Sequence, residues 1–165
     1  MTKRSNEGEE QPILTDALRR KIYESTRAKV EELWNAAWAG DVQRVTEILG
    51  RGTHDVNGLN RWQVDGDPRG WRRTPLHAAA VQGHLALAEY LLSEHADPNA
   101  RTKYGDTPLH FAVDNGHAAI VSLLRRHGAD ATLTNDDGDT PIDRARKLGR
   151  RDVLTALEQG PASTI

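Results

Sequence analysis

One four-residue motif recurs at a fixed step, and this limits the folds open to the chain. Thr74-Pro75-Leu76-His77 returns as Thr107-Pro108-Leu109-His110, and Thr140-Pro141-Ile142-Asp143 follows after another 33 residues. Other positions keep the same step, namely Gly83, Gly116 and Gly149, Ala88, Val121 and Leu154, and Leu91, Leu124 and Leu157. Several residue classes that share one period predict a linear stack of similar units.

Each residue type in the unit has a mechanical reason. Threonine before proline predicts a helix N-cap, with proline at the first helical position, where its missing N–H costs nothing. A short helix should end at Gly83 or Gly116, because glycine readily adopts the left-handed conformation that stops a helix. A second helix with one apolar stripe follows and should close at His95 or Gly128. The unit is therefore predicted to be helix, turn, helix and projecting finger.

The unit resembles the ankyrin repeat, and the resemblance covers roughly residues 30 to 159. It implies an all-α solenoid of helix-turn-helix units with projecting β-hairpin fingers, plus an N-terminal helix. A degenerate first unit has Gly40 at the place of Gly83 but lacks the Thr-Pro cap, as terminal repeats often do. In the last unit Asp143 replaces the histidine. There Arg144, Arg146 and Arg150 are expected to form a solvated outer cap.

The domain boundaries follow from this register. We expect a disordered N-terminus over residues 1–12, an N-terminal helix over 13–26, the repeat domain over 27–159 and a tail over 160–165. The units fall at about 30–58, 69–101, 102–134 and 135–159. Gly40 to Gly83 is ten residues longer than the period, which places a finger insertion at about 58–73. Insertions in repeat arrays map to loops, often on the binding face.

The N-terminal helix leaves two alternatives open. A helical pattern begins here, with apolar residues at four-residue steps (Leu14, Leu18 and Ile22) and Thr15 as the expected N-cap. Either one long helix reaches Ala39, or Ser25-Thr26 breaks it and caps the first repeat helix. We favour the break. The helix either shields the open end of the stack, which we favour, or docks into a groove of a partner.

Composition and chemistry argue against an enzyme. The chain has 165 residues, a net charge of -2 and no cysteine, which excludes disulfides and zinc–thiolate sites. His77, His84, His110 and His117 are explained by the repeat period, and no metal or cofactor is expected. Asn135 to Asp139 resembles a calcium loop but lacks the glutamate that such a loop requires. A polar N-terminus and the absence of an apolar span predict an intracellular protein, cytoplasmic or nuclear.

The predicted function is binding of another protein, as adaptor or scaffold, through the concave face and the enlarged first finger. The candidate contact residues are Trp38, Arg61, Trp62, Trp71, Arg72, Arg73, Gln82, Arg101, Lys103, Tyr104, Asp106, Asp114, Asn115, Asp136, Asp137 and Asp139. Two features of this set are not explained by packing. One is a group of aromatic side chains, and the other is a gradient of charge along the stack. Trp62 and Trp71 are equally compatible with packing the loop onto the stack. Aromatic and arginine side chains are frequent binding hot spots.

The charge gradient predicts the partner. Basic residues cluster in the early fingers and acidic residues in the late ones, so we expect an extended or helical partner segment. It should be acidic toward units one and two and basic toward unit four. Stoichiometric inhibition of a partner enzyme is an alternative. Nucleic-acid binding is another, although the net negative charge disfavours it. The C-terminal Ser163-Thr164-Ile165 has the form of a ligand for PDZ domains. No membrane contact is expected.

Overall fold

The computed structural model describes residues 15–52, 54–58 and 72–159, apart from the side chain of Tyr23. Within these ranges the backbone forms eight α-helices. They are α1 (Asp16–Ala39), α2 (Val42–Gly50), α3 (Pro75–Gln82), α4 (Leu85–Ser93), α5 (Pro108–Asp114), α6 (Ala118–Arg126), α7 (Pro141–Lys147) and α8 (Arg151–Glu158). The predicted all-α fold is confirmed. The predicted insertion at about 58–73 lies almost wholly outside the described residues, as do the terminal segments.

The helices form two layers. The odd-numbered helices pack in the order α1, α3, α5, α7, and the even-numbered helices pack beside them in the order α2, α4, α6, α8. One continuous apolar core runs between the layers. Its fully buried side chains recur at the repeat step, as Leu76 and Leu109 in the first layer and Leu91 and Leu124 in the second. Neighbouring units therefore share one core, which is the arrangement of a solenoid.

The hydrogen bonds of the Thr-Pro motif explain why it recurs at the start of the first helix of a unit. Thr74 and Thr107 are extended N-caps, and each forms a capping box with the histidine three residues later. Asp143 makes the same box with Thr140 in the last unit. The predicted helix ends are confirmed as well, because Gly83 has φ 82° and His95 has φ 66°. Both values lie in the left-handed region.

The predicted break at Ser25-Thr26 is wrong. Helix α1 runs without interruption for 24 residues from its Thr15 cap to Gly40. The hydroxyl of Thr26 donates to the carbonyl of Ile22 at 2.8 Å, so it is satisfied inside the helix and caps nothing. Helix α1 is therefore continuous across the predicted boundary between residues 26 and 27.

The favoured shielding role of this segment also differs from the structure. Every described side chain from residue 15 to residue 29 is exposed, whereas Leu33, Trp34 and Ala37 are buried. Only the second half of α1 packs on the stack, because the first half extends beyond the helices that could cover it.

The described fingers are tight turns. The Thr102 N–H donates to the carbonyl of Asp106 at 2.9 Å, and the Asn135 N–H donates to Asp139 at 3.0 Å. Neighbouring fingers are joined because the Asp136 N–H donates to the carbonyl of Tyr104 at 2.9 Å. The described part of the chain has no β-strand, since each finger is too short to extend a ladder of hydrogen bonds.

Candidate interaction surface

One surface of the stack lies between the odd-numbered helices and the fingers. In the last unit, Nζ of Lys147 on α7 is 2.6 Å from Oδ1 of Asp139 in the finger. Nη2 of Arg144, one turn earlier, is 3.8 Å from Oδ2 of Asp137 at the finger tip. Side chains at these helix positions therefore point toward the fingers. We call the surface between the two the groove.

The first unit contributes an exposed indole to this groove. Trp38 lies at the repeat position of Lys147 and is 40 % exposed. Its ring stacks on Trp34 with centroids 5.7 Å apart and an angle of 28° between the planes. Trp34 is buried and takes the position that His77 has in the next unit. The exposed indole thus rests on a rigid buried support.

A second aromatic side chain stands on the finger between units two and three. Tyr104 is 44 % exposed, and Nζ of Lys103 is 5.3 Å from its ring centroid. The hydrogen bond from Asp136 to its carbonyl fixes the backbone that carries it. Trp62, Trp71 and Arg61, the other members predicted from the sequence for this end, lie outside the described residues.

The two described arginines before the Thr74 cap differ in their surroundings. Arg72 is exposed and has a backbone φ of 52°. The Arg73 guanidinium carbon is 4.9 Å from the centroid of the Phe111 ring, and the side chain is only partly accessible. Burial lowers the pKa of Arg73, and the nearby Asp106 carboxylate opposes that shift. Arg73 therefore braces unit two against unit three.

Arg101 also joins neighbouring units, whereas Asn115 makes its hydrogen bond within its own unit. Arg101 is exposed and donates to the carbonyl of Thr134 at 2.7 Å, which joins successive fingers. The side chain of Asn115 donates to the carbonyl of Phe111 at 2.9 Å. Gln82, by contrast, is an exposed residue at the end of α3.

The acidic end of the groove is organised around one arginine. Nη1 of Arg144 is 2.5 Å from Oδ2 of Asp114, and Nη2 is 3.5 Å from Oδ1 of Asp106. Asp106 also accepts a hydrogen bond from the side-chain amide of Asn135 at 2.9 Å. The expectation that Arg144 belongs to a solvated outer cap is wrong. Its side chain is only 25 % exposed, because it reaches back to the carboxylates of the preceding unit.

The same correction applies to Arg150. It stands at the position of His84 and His117, whose Nε2 atoms lie 3.1 Å from the carbonyls of Trp38 and Val81. Arg150 donates from Nη2 to the carbonyl of Asp114 at 2.9 Å. It therefore continues the ladder that links each second helix to the preceding unit.

The predicted acidic residues are thus of two kinds. Asp106, Asp114 and Asp139 are partly buried and paired with Arg144 or Lys147. Asp136 and Asp137 stand exposed at the finger tip, where Asp137 is 3.8 Å from Arg144. Net negative potential toward a partner should therefore come mainly from the tip.

Asp114 carries a desolvated carboxylate. Burial raises its pKa, although Arg144 acts in the opposite direction. No sequence motif points directly to this network of Arg144 and aspartates. Arg144 does occupy the repeat position of Phe111, a side chain of the odd-numbered layer. That register could have placed Arg144 beside the preceding unit, but not its three carboxylate neighbours.

Substitution of Arg144 by alanine should lower the free energy of unfolding at pH 7 by about 1–2 kcal/mol, since it removes charge-assisted hydrogen bonds from partly buried carboxylates. Loss of Arg144 should also raise the pKa of Asp114 further. The effect should therefore shrink at pH 4, as measured by urea unfolding. Arg146→Ala is the matched control, because that side chain is 69 % exposed on the same helix. Equal effects of the two substitutions would contradict the assignment.

The two motif histidines are structural. His77 accepts the Thr74 N–H at Nδ1 (3.0 Å), and its Nε2 lies 3.3 Å from the Asp106 carbonyl. Burial lowers the pKa of His77 to about 3 and lowers that of His110, although hydrogen bonds to backbone carbonyls oppose the shift. Both imidazoles are therefore neutral at pH 7. Their Nδ1 atoms serve as acceptors inside the core.

Across the residues that the structure describes, no group of three or more histidine, aspartate or glutamate side chains is arranged to hold a metal ion. None of the described helices combines the length and the apolar character needed to cross a membrane.

Comparison with known proteins agrees with the two-layer architecture. A family model described as ankyrin repeats (3 copies) matches residues 33–135 and 95–161. Because these matches cover most of the sequence, the chain belongs to the ankyrin-repeat family. It is also 39 % identical over 84 residues to 2-5A-dependent ribonuclease of Mus musculus, a match that covers 49 % of this chain and 10 % of that protein. The chain spans about a tenth of that relative's length, so the relative's activity is not carried over.

Proposed function

We propose that this chain is an adaptor or scaffold that binds a segment of another protein in the groove. Ankyrin repeats generally mediate protein–protein interaction, and the repeat fold is not catalytic. The observation that carries the proposal is the half-exposed Trp38 on a buried Trp34 support. A large rigid aromatic side chain held at a concave surface has the properties of a binding hot spot.

The charges of the groove support a polarised partner. Arg72 is exposed near units one and two, whereas Asp136 and Asp137 are exposed at the tip beside unit four. A segment that is acidic at one end and basic at the other would meet opposite charges at both ends. Such complementarity acts on the orientation and the rate of association more than on affinity.

The aromatic contribution can be tested by affinity capture from cell extract. The double substitution Trp38→Ala and Tyr104→Ala should lower recovery of the partner at least tenfold, because truncation of a hot-spot aromatic commonly costs more than about 1.4 kcal/mol. Glu89→Ala is the control, since Glu89 is exposed on α4 in the other helix layer. A captured protein retained equally by both variants, with unchanged thermal unfolding, would contradict groove binding.

The charge contribution is tested with the purified partner. Arg72→Glu should slow association several-fold at low salt and leave dissociation nearly unchanged. Arg73 is unsuitable for this test because it packs on Phe111. Arg126→Glu on α6 is the matched control. An association rate that Arg72→Glu does not change would remove the polarity proposal.

A separate assay distinguishes an adaptor from an inhibitor. If the partner is an enzyme, its activity is measured with and without this chain, and only an inhibitor lowers it.

A further inference from the structure

Helix α1 carries a projecting arm that the groove does not use. We define the arm as residues 15–29, the N-cap and the first part of α1, in which every described side chain is exposed. The packed half of the helix, from Leu33 onward, anchors it on the stack. Propagation from an existing helix avoids the cost of nucleation, which is why a helical arm of this length can form without its own tertiary contacts.

Two apolar side chains mark one face of the arm. Leu18 is 47 % exposed and Ile22 is 50 % exposed, and they lie four residues apart. Ser25 and Lys29 follow at steps of three and four along the same face. A 4-3-4 spacing is that of a seam between paired helices, with leucine and isoleucine in the positions that favour two-stranded pairing. The seam is apolar for one heptad and then becomes polar.

The charges of the arm are divided between its two faces. Arg19 and Lys21 flank the Leu18–Ile22 seam at the positions that face a paired helix. Acidic side chains of the arm lie on the opposite face. There, among the described residues, Nε of Arg20 is 3.1 Å from Oε1 of Glu24. The ion pair between Arg27 and Glu31, at 2.8 Å, belongs to the same face. Among the described residues, the charged side chains that border the Leu18–Ile22 seam are thus cationic.

We propose that the arm is a second docking surface, separate from the groove, and that it pairs with an acidic amphipathic helix of another protein. Apolar residues of that helix cover Leu18 and Ile22. Carboxylates beside its own seam meet Arg19 and Lys21. This inference does not depend on what the groove binds.

Charge argues against a second copy as the occupant. In an antiparallel pair of arms, the cations that border one seam would face those that border the other, and like charges at these positions oppose pairing. In a parallel pair, the two Lys29 side chains would meet within the seam. A lipid surface is also a poorer fit. Interfacial helices present a broad apolar face, whereas Ser25, Thr26 and Lys29 make this one polar after two turns.

The test uses a phage-displayed library of random 18-residue peptides, selected on the purified full chain. Counter-selection on the double variant Leu18→Ser and Ile22→Ser removes peptides that bind elsewhere. The enriched peptides should be net acidic, with leucine or isoleucine at alternating three- and four-residue steps. In fluorescence anisotropy, their affinity should fall at least tenfold for Arg19→Glu with Lys21→Glu. It should remain within twofold for Arg20→Gln on the opposite face and for Trp38→Ala in the groove.

Three further measurements make the outcomes decisive. Circular dichroism checks that each variant keeps its helical content, so that lost binding is not lost folding. Sedimentation of the wild type should show a monomer; dimerisation abolished by Leu18→Ser with Ile22→Ser would overturn the proposal in favour of self-association. Binding to phosphatidylserine-containing vesicles without any peptide enrichment would overturn it in favour of a membrane. No enrichment at all, or enriched peptides without net negative charge, would overturn it as well.

Discussion

Substitution of Leu109 by alanine should lower the free energy of unfolding by about 2–5 kcal/mol, the range for leucine removed from a well-packed core. Leu109 is fully buried in α5, the first-layer helix that packs between α3 and α7. A cavity there weakens the interfaces on both sides of unit three. The core of a two-layer stack has few other contacts with which to compensate.

Urea unfolding followed by circular dichroism measures this effect. Leu148→Ala is the matched control, because Leu148 is 50 % exposed after α7 and its truncation leaves no closed cavity. We expect its effect to stay within about 0.5 kcal/mol. Similar losses for the two leucines would show that the shared core does not dominate stability.

Acidification should destabilise the fold well above the titration range of ordinary carboxylates. His77 has a pKa of about 3 in the folded chain, because burial disfavours the imidazolium, against an ordinary value of 6.5. The unfolded state therefore binds a proton that the folded state does not. Stability is fully present above pH 6.5 and is lost as the pH falls toward 3. By pH 5 this one group should cost about 2 kcal/mol.

Other titratable groups also change how the free energy of unfolding depends on pH. The lowered pKa of His110 adds to the loss of stability below pH 6.5. The raised pKa of Asp114 acts oppositely, because protonation of that carboxyl favours the folded state. Asp143, which stands in the histidine position of unit four, has a lowered pKa caused by hydrogen bonds from Thr140. Its stabilising effect is lost only below the ordinary aspartate range.

Urea unfolding at pH 7.5, 6 and 5 tests the histidine account. The variant His77→Asn keeps an acceptor for the Thr74 N–H but cannot titrate. It should be less stable at pH 7.5, yet lose about 2 kcal/mol less than the wild type on going to pH 5. A pH dependence identical in the two proteins would show that His77 is not kept neutral by the fold.

The local features of the repeat are predictable from the sequence. Thr74-Pro75 and Thr107-Pro108 specify where helices begin, and Gly83 specifies where one ends, since these depend only on neighbouring backbone groups. The buried leucines were predictable for the same reason, because one period assigns them to one face. The prediction of a break at Ser25-Thr26 was wrong because a threonine hydroxyl has two local alternatives. The Thr26 hydroxyl can cap a helix or bond back within one, and the local sequence allows both.

The candidate groove was predictable only in part. Trp38 and Tyr104 are exposed residues of an odd-numbered helix and a finger, as the repeat register suggested. Contact with a partner at these residues stays a prediction. The roles of Arg73 and Arg144 could not be read from charge alone, because each depends on the residue of the adjoining unit within reach. Phe111 lies under one guanidinium, and Asp114 beside the other.

The sequence by itself determined the number of helix pairs in the repeat, their caps and the apolar core that unites them. Those features follow from a period and from hydrogen bonds a few residues apart. Only the tertiary structure decided that α1 is one helix with an exposed arm and that the acidic end of the groove is largely neutralised by Arg144 and Lys147. The physical reason is the separation along the sequence of the groups that interact. A cap is satisfied within one turn, whereas an ion pair between units depends on how two surfaces approach.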